Sequence, residues 1–312
     1  MCIRDRVLTC ILGLEQAKLT DQITVGEFYS KISRDSTNMA LVPGEQLTQE
    51  QLLYGLMLKS ANDAAVVIAE HVAGSVDGFS EIMNKKALEL GAKNSHFVNP
   101  HGLFDADHYT TARDMALMAK YAMKNQKFRE IVSTIRFAIP ATNKQPLRDY
   151  ISNGNQLIWK GGKYKYPFAI GIKTGYVSQS GNCLVSAARK NGVELIAVVF
   201  KAKGKGVYTD SISLFEYGFN NYTKKSIMTK GQIVTTALVE KNNQKFNLVA
   251  EKDVALLLKA GEEAQIKTTI AVNPNLQLPI KKGQVYGTVT IQFNGQLIEK
   301  VNLLSNEDIA KK

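Results

Sequence analysis

The fold is decided by the stretch Ala169-Ile170-Gly171-Ile172-Lys173-Thr174-Gly175-Tyr176-Val177. Its apolar residues alternate along the chain, which predicts a β-strand. At the end of that strand, the triplet Lys173-Thr174-Gly175 would present a cation, a hydroxyl group and bare backbone to a cleft. A lysine at a strand end more often extends into solvent, so the triplet alone does not define a site.

A second polar group, Ser60-Ala61-Asn62, interrupts a helical pattern. A capping box at Thr48–Gln51 opens one predicted helix, and another apolar helix runs from Ala64 to about Val72. Two polar side chains two residues apart at such a junction can point into the same cleft. For an isolated Ser-x-Asn, capping of the following helix by Asn62 is the simpler interpretation. Each of these interpretations is reasonable for one polar group alone, but together, in this order, the two groups are less easily explained by chance.

The order of the predicted elements indicates two domains. Helical patterns dominate before about Arg136, and strands follow it. Asn191-Gly192 separates two of these strands and strongly predicts a hairpin. Residues 1–225 are therefore predicted to form an α+β domain, an antiparallel sheet with a helical cluster. After Ser226, short β-prone runs separated by turns predict a small all-β domain over residues 226–312.

The composition excludes several classes of partner. The chain carries 39 Lys+Arg against 28 Asp+Glu, a formal charge of +11. This charge favours a solvated basic surface, or attraction to an anionic surface such as a cell envelope. No zinc-finger, RNP-type or helix-turn-helix pattern occurs and the lysines are dispersed, so nucleic acid is not an expected partner. Cys2, Cys10 and Cys183 form neither a disulfide framework nor a metal-binding pair, and no metal or cofactor is expected.

Three longer stretches carry a resemblance to a known family: Leu52–Ala65, Asn99-Pro100-His101-Gly102-Leu103 and Tyr109–Asp114. Together with Lys173-Thr174-Gly175 they resemble the serine D-alanyl-D-alanine carboxypeptidases, the low-molecular-mass penicillin-binding proteins. The motifs of that superfamily are Ser-x-x-Lys, Ser-Asp-Asn and Lys-Thr-Gly. The resemblance implies a β-lactamase/transpeptidase-like fold over residues 7–225, followed by the β-rich C-terminal domain of these enzymes.

The resemblance also implies the chemistry. A serine, aided by a lysine three residues later, attacks the carbonyl of D-Ala-D-Ala in peptidoglycan pentapeptides. The acyl-enzyme is then hydrolysed, and the terminal D-alanine is released. By this resemblance, Ser60 and Lys173 are the expected catalytic residues present in the chain, relaying a proton.

The remaining site residues are expected to bind substrate. The Asn62 amide would hold the substrate backbone, and Lys173 and Thr174 would bind its terminal carboxylate. Gly175 would let the substrate approach the strand edge closely, since it has no side chain. The Tyr176 backbone N–H would donate to the oxyanion.

The nucleophile motif itself is absent, because no serine in the chain has a lysine three residues later. Alignment of the following helix on Val7–Glu15 places the family serine at Ile3 and the family lysine at Arg6. Ile3 has no nucleophilic atom, and the Arg6 guanidinium stays protonated in proteins. The chain as written is therefore predicted to be inactive and to form no penicillin adduct.

Two explanations of this departure are open. The favoured one is that residues 1–6, Met-Cys-Ile-Arg-Asp-Arg, are foreign to an N-terminally truncated chain, which would also account for the missing export signal. The alternative is a native, non-catalytic protein that binds peptidoglycan. A class A β-lactamase is less favoured, because no Glu-x-x-Leu-Asn occurs between Asn62 and Lys173.

The expected partners follow from the family. They are the peptidoglycan stem peptide and, once the nucleophile is restored, β-lactam antibiotics. The expected location is extracytoplasmic, in the cell envelope. Contact with a membrane surface would need a C-terminal anchor, and residues 306–312 show no amphipathic helix of that kind.

Overall fold

The computed structural model describes residues 2–27, 32, 36–240 and 243–310, with the backbone alone described at residues 2–4 and 150. The chain divides into two compact units, Met1–Tyr217 and Gly218–Lys312. The domain boundary proposed after Lys225 remains a prediction. Lys225 itself lies inside the strand Thr223–Met228, which belongs to the second unit.

The described residues form seven α-helices, and the longest of them are the first and the last. They are α1 (Cys2–Gln16), α2 (Gln49–Tyr54), α3 (Asn62–Ala73), α4 (Val76–Glu89), α5 (Ala112–Ala122), α6 (Gln126–Ser133) and α7 (Gly206–Asn221). A single wide turn of π-helix, Gly55–Lys59, joins α2 to the residues before α3, and a 3₁₀ turn covers Gln156–Ile158.

Local sequence explains where most of these helices begin and end. The predicted capping box is confirmed: the Thr48 hydroxyl accepts from the Gln51 N–H, and the Gln51 side chain accepts from the Thr48 N–H. Helix α3 ends at Gly74, whose φ of 74° lies in the left-handed region that glycine adopts without strain. Side chains of Ser75, Thr111 and Asn125 cap the three helices that follow.

The strands of the first unit form an antiparallel sheet and two small pairs. The three-stranded sheet contains β5 (Ala169–Val177), β6 (Gly181–Lys190) and β7 (Val193–Ala202), in that order. The pairs are β1 (Gln22–Thr24) with β2 (Gln46–Thr48), and β3 (Arg136–Ile139) with β4 (Arg148–Ser152). Both Asn191 and Gly192 have positive φ, so the predicted hairpin between β6 and β7 is confirmed.

Helix α1 lies in the core of the first unit. Val7, Leu8 and Leu12 have no exposed surface, and α1 contacts α3, α5 and β5. Even the polar Thr9 is fully buried, and its hydroxyl donates to the Pro100 carbonyl at 2.9 Å. The core therefore holds α1 in place over residues 7–12.

The second unit is built of strands, as predicted. Its five-stranded sheet has the order β12 (Ile266–Val272), β13 (Val285–Phe293), β14 (Gln296–Ser305), β10 (Gln244–Ala250) and β9 (Ile233–Val239). β8 (Thr223–Met228) pairs with β11 (Val254–Leu258). Among the described residues of both units, no helix has the length and apolar character needed to cross a membrane.

Candidate active site

A cleft of about 440 Å³ opens in the first unit beside the end of β5. Of the predicted site residues, five line this cleft: Ser60, Asn62, Thr174, Gly175 and Tyr176. The two polar groups that lie more than a hundred residues apart in sequence thus meet in one place. The cleft is also lined by residues that the sequence did not single out, among them Ser36, Thr37, Gly154, Gln156 and Asn182.

Ser60 reaches the cleft because the helix is interrupted at this residue. Its φ of 68° and ψ of 33° are left-handed, a conformation that ends the wide turn before it. Asn62 then starts α3, and its backbone N–H donates to the Thr37 carbonyl at 2.9 Å. The N-cap position of α3 is occupied by Ala61 and Asn62 is the first residue of the helix, so the simpler interpretation of Asn62 as a helix cap does not hold.

Arg6 lies at the cleft end of α1 and is 1% exposed. Its Nη2 donates to the Ser60 carbonyl at 2.7 Å and also donates to Asn62 Oδ1. Because Oδ1 accepts this bond, the amide nitrogen of Asn62 is the end that can donate to a ligand. Ile3, which the family alignment pairs with the nucleophile, precedes Arg6 by about one turn of α1, and its side chain lies outside the described residues.

Lys173 is buried next to the cleft-lining Thr174, and it is not among the described residues that line the cleft. The side chain is 2% exposed, and Nζ donates to the Thr174 carbonyl at 2.8 Å. A buried ammonium of this kind contributes a positive potential to the neighbouring cleft. Its predicted part in a proton relay with Ser60 and in carboxylate binding stays a prediction.

The end of β5 is shaped by close contact with a glycine. A methyl group added at Gly154 would lie 2.6 Å from the Thr174 hydroxyl oxygen, so the absence of a side chain at this position leaves room for Thr174. On the other side of β5, Gly175 is paired with Cys183 of β6. Tyr176, at 61% exposure, extends from the cleft into solvent.

A buried ionisable pair supports the start of α1, and sequence reasoning missed it. His108 Nδ1 accepts from the Val98 N–H at 3.0 Å, so Nε2 carries the ring proton and donates to Asp5 Oδ1. Both side chains have no exposed surface. Burial and the charge of Arg6, with Asp5 opposing, lower the pKa of nearby His101 to about 4. The Nδ1 of His101 accepts from the Leu103 N–H at 3.2 Å.

Asp63 is a second residue that the sequence analysis passed over. Its carboxylate accepts from the backbone N–H groups of Met39, Leu41 and Ala64 at 2.9–3.1 Å. Burial raises the pKa of Asp63. An acidic residue in the first turn of a helix is a recognisable stabilising pattern and could have been found. It anchors residues 39–41 to the first turn of α3, where Asp63 directly follows Asn62 in the chain.

The donor groups of the site fit peptide binding. Hydroxyl, amide and guanidinium groups dominate the lining, and no Asp or Glu of the described chain lines the cleft. Within that described chain, no group of three or more His, Cys, Asp and Glu side chains could hold a metal ion. The arrangement is suited to a ligand with carbonyl oxygens and a carboxylate.

Comparison with protein families gives two matches that cover most of the chain. Residues 7–204 match the D-alanyl-D-alanine carboxypeptidase family. Residues 222–311 match the C-terminal domain of penicillin-binding protein 5.

Individual relatives agree. D-alanyl-D-alanine carboxypeptidase DacF of Bacillus subtilis is 32% identical over 98% of this chain and 78% of its own length. The crystal structure of penicillin-binding protein 5 from Haemophilus influenzae has a TM-score of 0.77 at 30% identity, covering 99% of this chain and 90% of that one. The fold alone is shared with PBP3 from Streptococcus pneumoniae, at a TM-score of 0.81 and 21% identity over 99% of this chain and 92% of that one. The chain therefore belongs to the D-alanyl-D-alanine carboxypeptidase family of low-molecular-mass penicillin-binding proteins.

Proposed function

We propose that the cleft binds the D-Ala-D-Ala end of peptidoglycan stem peptides. The observation that carries this proposal is that Ser60, Asn62 and the Thr174–Tyr176 segment line one cleft. The Asn62 amide nitrogen donates to a substrate carbonyl, since Arg6 occupies its oxygen. Thr174 receives the terminal carboxylate with the help of the Lys173 charge below it.

The catalytic half of the family reaction needs a nucleophile that this sequence does not provide. In a serine carboxypeptidase, the serine oxygen attacks the peptide carbonyl, D-alanine leaves with a proton, and water then cleaves the ester. With Ile3 and Arg6 at the motif positions, no hydroxyl attacks and no amine accepts its proton. The chain as written therefore binds the peptide without cleaving it, and hydrolysis belongs to a form that carries Ser at position 3 and Lys at position 6.

The substrate class also suggests where the protein works. Peptidoglycan stem peptides are exposed outside the cytoplasmic membrane, so an extracytoplasmic location in the cell envelope is part of the proposal. β-Lactams, which imitate D-Ala-D-Ala, are proposed as ligands of the same cleft, and as covalent ligands only when the nucleophile is present.

Calorimetry with two peptides tests the binding. An acetylated peptide ending in D-Ala-D-Ala is titrated into the protein, and the same peptide ending in L-Ala-L-Ala serves as the stereochemical control. We expect saturable binding of the peptide ending in D-Ala-D-Ala and none of its control. The Asn62→Ala variant is expected to bind this peptide roughly tenfold more weakly, a factor that corresponds to the loss of about one hydrogen bond. Lys93→Ala, a change at an exposed lysine that does not line the cleft, is expected to leave the Kd unchanged.

Mass spectrometry after incubation with benzylpenicillin tests the inactivity. We expect the mass of the protein to stay unchanged. Equal affinity for the two peptides would contradict the proposed ligand, and a mass increase of one penicillin would contradict the proposed lack of acylation.

A further inference from the structure

A second concave site lies in the first unit, between the end of α5 and the start of β7, and has a volume of about 400 Å³. Its helix side is lined by Ala116, Lys120, Met123 and Lys124, and its strand side by residues 194–196. We call it the α5–β7 groove. The helix residues are three or four positions apart, so their side chains share one face. Among the described residues, none lines both this groove and the peptide cleft.

The size and the apolar walls of the α5–β7 groove suit a small ligand. Met123 is buried, and Leu195 and Ile196 keep part of their apolar surface exposed, which a ligand could remove from water. The volume lies within the range of roughly 300–1,000 Å³ that is typical of small-molecule sites. A stable protein interface uses roughly 20–30 residues on each side, many more than line this groove.

Two lysines give the α5–β7 groove a positive charge without a matching carboxylate. Lys120 and Lys124 are exposed, and within the described parts of the chain neither forms an ion pair with an acidic residue. They are four positions apart, a spacing at which two like charges on a helix repel each other. An anion bound between them would relieve this repulsion.

The acidic residue that lines the groove, Glu194, is already bound by two arginines. Arg129 donates to both of its carboxylate oxygens at 2.8 Å, and Arg189 donates twice to Oε2, at 3.0 and 2.8 Å. Arg129 also donates to the Met123 carbonyl at 3.0 Å, which ties this ion pair to the end of α5. The Glu194 carboxylate is thus neutralised by its own partners, and the charge of the two lysines remains.

We propose that the α5–β7 groove binds the anion of a fatty acid. The acyl chain lies against Met123, Leu195 and Ile196, and the carboxylate lies between Lys120 and Lys124. Apolar walls with a few charged groups that fix the orientation of the ligand are the usual composition of such sites. This inference does not rest on the proposed function.

Titration calorimetry with three simple probes tests this inference. Decanoate has the acyl chain and the charge, decan-1-ol has the same chain without charge, and hexanoate has the charge on a shorter chain. Below the concentration at which it forms micelles, we expect one decanoate to bind per protein molecule. Hexanoate is expected to bind at least about tenfold more weakly, because fewer CH₂ groups leave water. Decan-1-ol is expected to bind about three- to tenfold more weakly, the range of one or two exposed ion pairs, and this difference should shrink at high salt.

Variants identify the groups responsible. Lys120→Gln/Lys124→Gln is expected to reduce the affinity for decanoate to that for decan-1-ol. Lys85→Gln/Lys93→Gln removes the same charge from two exposed lysines that do not line the groove, and it is expected to leave the Kd of decanoate unchanged. Ala116→Phe fills the groove from the helix side and is expected to abolish binding of both decyl probes without changing the charge.

The outcomes distinguish a ligand site from a merely basic surface. Equal affinity for decanoate and decan-1-ol, or an affinity for decanoate that survives Lys120→Gln/Lys124→Gln, would overturn the inference. Binding to phosphatidylglycerol vesicles without binding of free decanoate would also overturn it, because the lysines would then contact a membrane surface. These measurements do not involve the peptide cleft, so the proposed function stands or fails separately.

Discussion

The first turn of α1 and the turn at Ser60–Asn62 meet in the cleft, yet they relate differently to the family. The Ser60–Asn62 turn has the serine and the asparagine of the family motif in the expected order. The first turn of α1 has Arg6 where the family alignment places a lysine. Even so, Arg6 is buried and donates to both the Ser60 carbonyl and Asn62 Oδ1.

The difference shows that holding a site together and performing its chemistry are separable. A guanidinium and an ammonium group can each donate to carbonyl oxygens, so either can fix the turn that follows. Only an amine can release its proton near neutral pH and act as a base toward a hydroxyl. Arg6 therefore contacts the Ser60–Asn62 turn in a way that does not require a base.

Restoring the motif is expected to have the largest effect. In Ile3→Ser/Arg6→Lys, the new serine precedes the new lysine by about one turn of α1, and the lysine takes the place of Arg6, which contacts Ser60 and Asn62. The serine oxygen attacks the lactam carbonyl and the ring opens without a leaving group. We therefore expect the mass of each chain to increase by the mass of one whole penicillin, measured by intact-protein mass spectrometry.

Two further variants define this result. Ile3→Ser with Arg6 retained is the matched control and is expected to stay unacylated, because the guanidinium cannot accept the proton. Adding Ser60→Ala to the restored protein is expected to slow acylation by roughly 10²–10⁴-fold, the usual range for loss of a proton-transfer group. If acylation were equally fast with Ala at position 60, the assignment of Ser60 to the relay would be wrong.

The elements around this site could be predicted because their determinants are local. The Thr48 capping box, the Gly74 stop and the Asn191-Gly192 turn each depend on a few neighbouring residues. The meeting of Ser60 with Thr174 was expected from the family resemblance, since periodicity alone does not bring distant segments together. The interruption of the helix at Ser60 was predicted, but no sequence pattern indicates the π-helical turn Gly55–Lys59 that precedes it.

The supporting contacts could not be predicted, because they join residues that are far apart in the chain. His108 and Asp5 are 103 residues apart, and Arg6 reaches Asn62 over 56 residues. Gly154 gave no indication of its contact with Thr174, since a glycine beside asparagines is typical of an ordinary turn. Such contacts depend on the packing of the whole unit.

Removing the Arg6 guanidinium tests whether this residue holds the Ser60–Asn62 turn. Arg6→Met keeps the bulk of the side chain but leaves the Ser60 carbonyl and Asn62 Oδ1 without this donor. We expect the free energy of unfolding to fall by roughly 3–5 kcal/mol, as two buried charge-assisted hydrogen bonds are lost. Urea denaturation followed by circular dichroism measures it.

Two other substitutions serve as references for this loss. Arg189→Met removes an arginine whose side chain is 57% exposed and which pairs with Glu194, and it is expected to cost less than about 1 kcal/mol. Arg6→Lys keeps a cation and is expected to recover part of the loss. Equal stability of Arg6→Met and the unmodified protein would show that Arg6 does not hold the turn.

The pH dependence of unfolding tests the same region, because the charges of Arg6 and Asp5 in α1 contribute to the pKa of His101. Its pKa is lowered to about 4 in the folded protein, below the value near 6.5 of an unfolded chain. As pH falls, the unfolded state binds this proton first. The contribution of neutral His101 to stability is therefore complete above about pH 6.5 and is lost progressively toward pH 4, by up to about 3 kcal/mol.

Denaturation curves at pH 7 and pH 4 for the unmodified protein and for His101→Gln measure this contribution. We expect the difference in unfolding free energy between the two proteins to be smaller at pH 4 than at pH 7. Other groups also contribute to the pH dependence, including Asp63, whose pKa is raised by burial, and comparison with the variant cancels their common effect. An identical pH dependence in both proteins would remove His101 as its source.

The smallest expected effect lies at the end of β5, where Gly154 lies close to Thr174. In Gly154→Ala the new methyl group would lie 2.6 Å from the Thr174 hydroxyl oxygen, so Thr174 must move. We expect roughly tenfold weaker binding of the peptide ending in D-Ala-D-Ala, with a loss of stability of about 1 kcal/mol or less. Gly26→Ala is the matched control, because its methyl group would come no closer than 3.6 Å to another residue. An unchanged Kd in Gly154→Ala would mean that the position of the Thr174 hydroxyl does not determine binding, and carboxylate recognition would then rest on the buried charge of Lys173.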